Sequence, residues 1–269
     1  MKRAAHICEL LSPIDPNQAQ DLLKDPRYCM QLKEDGERLL VDTYFGGRFG
    51  YDRKGQITAL SADLLSQLAD VPDDCLIDGE LVNGKYIAFD VLEFDSVDIR
   101  GLTYEMRMEF LTALHEDAEL TIVPTWYGTE IKTAACVRTY EAGAEGVVFK
   151  DLRAPWAPGR AGQHFKLKFW ESCSVRVGDK SQRADAREDK HSVAVELVGG
   201  DGSWRPMGFV TIPNSLALPA QGTILEVRYL YAQADGLYQG VFLGVRRDLD
   251  SEDCSIDQLK WKTEREAYV

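Results

Sequence analysis

The residues best suited to take part in a chemical reaction lie in the turn Lys33–Arg38, which precedes the apolar run Leu39–Val41. A lysine amine is a nucleophile only when it is deprotonated, and nearby cations or desolvation lower its pKa toward neutrality. Lys166 and Lys168 are candidates for those cations. Charged turns with a glycine are also common on protein surfaces, so this segment alone leaves an ordinary surface turn open.

A second chemical signal is a local reversal of charge. The formal net charge of −13 argues against a nucleic-acid partner, because phosphate binding usually requires a basic surface. Between positions 150 and 170, however, the only acidic residue is Asp151. The basic residues there are Lys150, Arg153, Arg160, Lys166 and Lys168. Aromatic and aliphatic residues alternate with the last two lysines, which predicts a strand with one cationic face for phosphate. A solvated charged loop is the alternative.

Further segments complete an ordered pattern with the first turn. They are Asp52–Gly55, Asp78–Glu80, Ala88–Leu92, Glu145–Lys150, Lys166–Lys168, Glu226–Tyr229 and Arg246–Asp248. In this order they resemble the motifs of the covalent nucleotidyltransferase superfamily, and specifically those of minimal ATP-dependent DNA ligases. The resemblance covers the chain from about Gln31 to Asp248 and implies an enzyme that seals nicks.

The resemblance assigns the nucleotide contacts. Lys33 would attack the α-phosphate of ATP, expel pyrophosphate and carry AMP as a phosphoramidate. Glu80 would accept a hydrogen bond from a ribose hydroxyl, Phe89 would stack on adenine, and Gln31 would reach the edge of the base. Without the pattern, core packing would be the simpler interpretation of Phe89 and a solvated strand end that of Glu80.

It also assigns the groups around the phosphates. Phosphoryl transfer needs cations and a metal near the transferring group, a role that fits Lys166 and Lys168. Glu145 is the candidate ligand for Mg²⁺, with Mn²⁺ as a possible substitute, because hard cations take oxygen ligands. A salt bridge is the alternative for Glu145. Lys150 joins the nucleotide-binding set.

The remaining assignments concern the later steps. Arg38 and Arg53 would contact the nick phosphates or the adenylate, and Asp35 would assist the transfer of AMP to the 5'-phosphate. In the last motif, Arg246, Arg247 and Asp248 would act on the pyrophosphate side. Duplex phosphates would meet further cations, namely Arg176, Lys180 and Arg183.

Two positions depart from the family pattern. Leu249 stands where a lysine usually completes the last motif, and Arg247 is the candidate to replace that lysine. Asp52 stands where the short motif around Arg53 usually has a serine, which leaves the role of Arg53 open.

The elements that must position these residues indicate an α+β fold. Turn signals at Gly46–Gly47 and Asn83–Gly84 favour antiparallel hairpins over parallel crossovers. The predicted strands in the first part are 38–44, 76–82 and 86–92, and the predicted helices are 62–69 and 106–118. We place the first domain, a nucleotidyltransferase (adenylation) domain, at 1–170.

The second predicted domain, 171–269, has almost no helical patterning and consists mainly of short strand-like runs. Its predicted strands are 174–177, 192–197, 208–212, 223–231 and 238–245, with a hairpin loop at 182–190. Five short strands fit a small closed barrel of the OB type, which commonly binds nucleic acid, and a small sandwich is the alternative.

Length and composition indicate where the protein acts and which kinds of site it lacks. The chain has 269 residues, no apolar run near the roughly 20 residues that span a bilayer, and six scattered cysteines without metal spacing. We expect a cytoplasmic monomer that acts on nicked duplex DNA. Because Lys33 is close to the N-terminus, we expect no leading domain and therefore ATP as the donor. The alternatives are an RNA ligase, a capping-type nucleotidyltransferase and an inactive nucleic-acid-binding module.

Overall fold

A computed structural model describes residues 8–118, 120–179, 183–185 and 190–263, of which 183–185 and 190 are described by their backbone alone. The chain divides into two compact units. The first contains 8–139 and 146–167, and the second contains 140–145 and 168–263. The predicted domain boundary at Trp170 stays a prediction. No helix of the described residues is long and apolar enough to cross a membrane.

The first unit combines strands with a few helices. Its strands are β1 (Ser12–Pro13), β2 (Tyr28–Leu32), β3 (Glu37–Asp42), β4 (Phe49–Tyr51), β5 (Ile57–Thr58), β6 (Leu76–Val82), β7 (Lys85–Phe94), β8 (Val97–Asp98), β9 (Thr125–Trp126), β10 (Gly146–Asp151) and β11 (His164–Lys168). The helices are α1 (Pro16–Lys24), α2 (Ala62–Gln67), α3 (Tyr104–Ala118) and α4 (Thr129–Glu141). A 3₁₀ turn spans Tyr44–Gly46.

The larger sheet of this unit is antiparallel, in the order β5-β4-β3-β6-β7-β8. Its central hairpin turns at Asn83 and Gly84, which both have positive φ, as a tight hairpin turn requires. One face of the sheet packs on α2 and α3 through a buried apolar core that includes Leu39, Ile77 and Leu111. This core fixes β3, β6 and β7 as a rigid platform.

The smaller sheet has the order β1-β11-β10-β2-β9. Strand β10 is buried throughout and pairs antiparallel with β2, so that Val148 lies opposite Gln31. On its other edge β2 pairs with β9, where Gln31 lies opposite Thr125. This register brings the residues before Lys33 between two strands.

The second unit is a barrel. Its strands are β12 (Glu171–Val177), β13 (Arg183–Asp185), β14 (Lys190–Val198), β15 (Trp204–Ile212), β16 (Ile224–Tyr229), β17 (Ala232–Gln233), β18 (Gly236–Leu237) and β19 (Val241–Arg246). The main sheet runs β12-β16-β19-β15-β14 and closes because β12 also pairs with β14. Strands β15 and β19 are parallel, and the other pairs are antiparallel. This closed five-stranded topology is the predicted OB-type barrel.

Several predicted elements need correction at their ends. The strand predicted over 38–44 ends at Asp42, because the 3₁₀ turn follows with Phe45 at a φ of 51°. The strand predicted over 238–245 begins only at Val241, because Gln239 has a φ of 54°. Of the predicted hairpin loop at 182–190, residues 183–185 pair with 190–192; positions 182 and 186–189 lie outside the described residues.

Candidate active site

A pocket in the first unit is lined by residues from both sheets. The lining residues are Glu9, Leu11, Gln31, Leu32, Lys33, Glu34, Arg38, Glu80, Phe89, Val123, Val148 and Lys150. Of the predicted site residues, the pocket brings together Gln31, Lys33, Arg38, Glu80, Phe89 and Lys150. An apolar lining with one ring and a few polar groups is typical of small-molecule sites.

Lys33 directly follows β2 and is held there by the backbone. Its N–H donates to the carbonyl of Gly146 over 3.0 Å. Three residues further on, a Cβ at Gly36 would lie 2.3 Å from the carbonyl oxygen of Leu81. The turn after the lysine therefore requires a glycine, since any side chain would displace it from β6.

Strand β3 presents Arg38 to the pocket with a buried partner. Its guanidinium donates to both oxygens of Asp78, with an Nε to Oδ1 distance of 2.5 Å. Burial alone would lower the pKa of Arg38, but the charge and hydrogen bonds of Asp78 outweigh it and raise the pKa above its ordinary value. The guanidinium carbon also lies 4.6 Å from the centroid of the Phe89 ring. Arg38 is therefore held in place beside that ring.

The segment Asp78–Glu80 has a separate task at each position. Asp78 holds Arg38, and Glu80 lines the pocket. Between them, a Cβ at Gly79 would lie 2.6 Å from the ring of Tyr86, whose hydroxyl donates toward the Ile77 carbonyl over 3.1 Å. The glycine thus lets a buried tyrosine pack flat against the strand.

Gln31 is buried in the wall of the pocket. Its Nε2 donates to the hydroxyl of Tyr104 over 2.8 Å and to the hydroxyl of Thr125 over 3.0 Å. The Tyr104 hydroxyl in turn donates to the carbonyl of Phe89 over 2.7 Å. One hydrogen-bonded chain therefore connects the predicted base-edge residue with the predicted stacking residue.

A buried polar cluster surrounds Lys150. Its Nζ donates to Glu9 Oε2 over 3.2 Å and lies 4.9 Å from the centroid of the Tyr104 ring. His164 Nε2 is 3.3 Å from the same carboxylate oxygen. Burial, followed by the charges of Lys150 and Arg107, lowers the pKa of His164 to about 2. The histidine is therefore neutral, and its Nδ1 accepts a hydrogen bond over 3.0 Å from the backbone N–H of Asp151, at the end of β10.

Glu145 is a buried carboxylate with a cationic partner. Its Oε1 lies 2.7 Å from Lys168 Nζ, which also donates to Gln239 over 2.9 Å. The structure thus shows the salt bridge that was the alternative for Glu145, and its role as a metal ligand stays a prediction. Among the described residues, no group of three or more His, Cys, Asp or Glu could hold a metal ion. One carboxylate is still a fitting donor set for Mg²⁺, which usually completes its shell with substrate phosphates and water.

Three predicted residues of the first unit lie outside the pocket lining. Arg53 is exposed in a turn, and Asp35 is half-buried between β2 and β3. Lys166 lies on β11, opposite Pro13 of β1. The unexpected Asp52 has a structural explanation, since its Oδ1 accepts from the N–H groups of the two residues at 54 and 56, each over 2.8 Å. An aspartate at this place shapes the turn that carries Arg53.

Of the two arginines in the last motif, Arg246 is paired within the barrel. Arg246 bonds Asp248 over 2.8 and 2.9 Å and Glu226 over 2.8 Å, while Arg247 is exposed. The hydrogen bond from Arg246 lowers the pKa of Asp248 to about 2.

The three cations predicted to meet duplex phosphates have different outcomes. Arg176 bonds Glu196 and stacks over the ring of Trp204 at 3.2 Å. Lys180 and the Arg183 side chain lie outside the described residues.

Sequence reasoning missed four residues around the pocket: Glu9, Asp78, Tyr104 and Thr125. Asp78 belongs to the motif segment Asp78–Glu80, but the sequence of this segment does not reveal that Asp78 pairs with Arg38. The other three lie in a short edge segment, at a helix start and in a two-residue strand, where no periodic signal exists.

No protein-family model matches this chain. The multifunctional non-homologous end joining protein LigD of Mycobacterium bovis is 28% identical over 179 aligned residues, covering 58% of this chain and 23% of the relative. The LigD repair protein of Mycobacterium tuberculosis matches to the same extent. The chain therefore spans less than a quarter of the length of these relatives.

Solved structures match more of the chain. A structure described as DNA binding with a minimal scaffold in Lig E DNA ligases matches with a TM-score of 0.67 and 18% identity, over 90% of this chain and all of that one. Mycobacterial DNA ligase D complexed with ATP and MES matches with a TM-score of 0.58 and 22% identity, over 92% of this chain and 97% of that one. The likenesses show a DNA-ligase fold and confirm the resemblance that the motifs indicated.

Proposed function

We propose that this chain is an ATP-dependent DNA ligase that seals nicks in duplex DNA through a lysyl-AMP intermediate. The observation that supports this proposal is the pocket of the first unit, whose lining combines Lys33 with an aromatic ring, a side-chain amide and a carboxylate. The sequence similarity to LigD and the ligase fold support the same assignment.

In the first step, the neutral amine of Lys33 attacks the α-phosphorus of ATP. A P–N bond forms, the bond to the β-phosphate oxygen breaks, pyrophosphate leaves, and the amine loses a proton. Phe89 and Gln31 hold the base, and Glu80 accepts a hydrogen bond from the ribose. Arg38, fixed by Asp78, supplies a charge that needs no reorganisation when the phosphate becomes more negative.

In the second step, an oxygen of the 5'-phosphate at the nick attacks the same phosphorus. The P–N bond breaks and AMP is transferred to the DNA, which returns the lysine amine. In the third step, the 3'-hydroxyl attacks the 5'-phosphorus, loses its proton and releases AMP. Arg53 and Asp35 are the candidates to assist here, as the resemblance of their motifs implies.

The metal in this proposal is Mg²⁺, and Glu145 is the residue that would hold it. A bound Mg²⁺ would neutralise phosphate charge. Lys168, which lies against Glu145, would be released from this ion pair toward phosphate oxygens.

The test compares singly nicked duplexes of matched sequence, one all DNA and one with RNA strands at the joint. Joined product, resolved on a denaturing gel, should form on the DNA nick and require ATP. A nick without a 5'-phosphate is the control, and it should stay open. Faster sealing of the RNA nick would replace the DNA-ligase assignment with an RNA ligase, and no joining of either nick would contradict ligase activity altogether.

A further inference from the structure

The direction of each hydrogen bond around Gln31 can be worked out from the groups involved. A tyrosine hydroxyl has a single hydrogen, and that of Tyr104 points to the Phe89 carbonyl, an acceptor that cannot donate in return. Burial raises the pKa of Tyr104 well above its ordinary value, so the hydroxyl keeps this hydrogen. Toward Gln31, Tyr104 can therefore only accept.

Thr125 reaches the same state through a different neighbour. Its hydroxyl donates to the carbonyl of Val123 over 3.0 Å, which uses its single hydrogen. Toward Gln31, Thr125 can also only accept. Both hydroxyls therefore require the amide nitrogen of Gln31, because a rotated amide would place its single oxygen against both hydroxyl oxygens.

The amide of Gln31 is consequently fixed in one orientation. Both hydrogens of Nε2 are used inside the wall, which leaves the carbonyl oxygen Oε1 for a ligand in the pocket that Gln31 lines. An acceptor at this point matches the exocyclic amine of adenine, which donates. It opposes the exocyclic oxygen of guanine, which accepts.

We propose that Tyr104 and Thr125 are positioning residues that make the pocket select adenine over guanine by holding the Gln31 amide in one orientation. This inference rests on the proposed function, because it takes a nucleotide as the ligand. The two residues contact Gln31 and are not among the residues that line the pocket, so their effect on the ligand passes through the amide.

Tyr104 has a second effect that Thr125 lacks. Its hydroxyl also holds the backbone of Phe89, so losing it disturbs the stacking ring and weakens binding of every purine nucleotide alike. Thr125 lies opposite Gln31 in the β2–β9 pair and has no bond to Phe89 in the described contacts. Thr125 is thus the cleaner position for a test of base selection.

The experiment measures nucleotide binding to the full chain by calorimetry, in EDTA so that no covalent adenylylation occurs. The probes are ATP, GTP and purine riboside triphosphate, which lacks the exocyclic amine. The variants are Thr125→Val, which keeps the shape and removes the hydroxyl, Thr125→Ser, which keeps the hydroxyl, and the double variant Thr125→Val with Tyr104→Phe. Thermal unfolding of each variant checks that it is folded.

Wild type and Thr125→Ser should bind ATP much more tightly than GTP. Thr125→Val should weaken ATP by several-fold, and the double variant should lower the ATP-to-GTP affinity ratio by about tenfold or more. In Thr125→Val, purine riboside triphosphate should keep its affinity. If all three nucleotides weaken equally in Thr125→Val, the residue is merely structural and the inference is overturned.

The failure of the inference differs from the failure of the proposed function. An unchanged ATP-to-GTP ratio in the double variant overturns the inference while leaving an ATP-binding ligase intact. No ATP binding by the wild-type chain would contradict the proposed function itself, and the inference with it.

Discussion

The Asp78 carboxylate and the Arg38 guanidinium form a two-pronged ion pair on neighbouring strands, with Asp78 almost completely buried. The pair joins the motif of the lysine turn to the motif that contains Glu80, the proposed ribose contact. Both motifs therefore depend on the buried carboxylate of Asp78. Removing its charge tests how β3 and β6 hold the pocket in shape.

Asp78→Asn should destabilise the protein because it leaves the Arg38 charge buried without its counter-charge. We expect a loss of about 3 kcal/mol in the free energy of unfolding, measured by urea denaturation. The matched control is Asp98→Asn, which removes the exposed partner of Arg100 and should cost less than about 1 kcal/mol. Equal losses in the two variants would refute the role of the buried pair.

Gly36→Ala tests the close approach behind the lysine turn. The new Cβ would lie 2.3 Å from the Leu81 carbonyl oxygen, so the turn or β6 must shift. We expect a loss of roughly 1–3 kcal/mol in stability and slower self-adenylylation, because Lys33 moves with the turn. Gly101→Ala is the control, since nothing lies within 4 Å of a Cβ there. Similar behaviour of both variants would show that the clash is relieved without consequence.

The neutral His164 predicts a pH dependence of stability. Its pKa is about 2 in the folded protein and about 6.5 when unfolded. Below pH 6.5 only the unfolded chain gains this proton, so stability falls as the pH decreases, by about 1.4 kcal/mol per pH unit from this group. In urea denaturation between pH 7.5 and 5, His164→Asn should lose less stability than wild type, whereas the exposed control His191→Asn should follow wild type. A wild-type slope in His164→Asn would contradict this account.

Glu145→Gln tests the proposed metal ligand. Charge neutralisation by the metal is needed most in the transition state, so the single-turnover rate of adenylylation should fall roughly 100-fold while ATP binding changes little. The Mg²⁺ concentration for half-maximal rate should also rise. Glu141→Gln, at an exposed position on α4, is the control. An unchanged rate across Mg²⁺ concentrations would leave Glu145 as a structural partner of Lys168 only.

The fold could be predicted from the sequence where local signals agree with tertiary structure. Asn83–Gly84 marks a hairpin because both residues adopt positive φ, and the barrel strands alternate as half-buried strands do. Helix α4 could not be predicted, because its buried face includes Lys132, Ala135 and Thr139 in place of an apolar stripe. The Lys132 amine can be buried because it donates to three backbone carbonyls. Hydrophobic periodicity in the sequence does not reveal this role.

The site shows the same division. Motif residues such as Lys33, Glu80 and Phe89 could be recognised in sequence, and the structure places them around one pocket. Tyr104 could not, because α3 begins earlier than its apolar pattern suggests. The N–H of Met106 bonds to the Thr103 hydroxyl over 3.3 Å, an N-terminal cap that extends the helix to include Tyr104.

Lys33 is the residue that we propose to carry AMP. Incubation of the purified chain with α-labelled ATP and Mg²⁺, followed by denaturing electrophoresis, should leave label on wild type. The same label should appear on Lys54→Ala, which removes an exposed lysine of the turn between β4 and β5. Lys33→Ala should take up no label, because Lys150, which also lines the pocket, is held by an ion pair with Glu9. Labelling of Lys33→Ala at the wild-type level would contradict the assignment of Lys33 as the AMP-carrying residue.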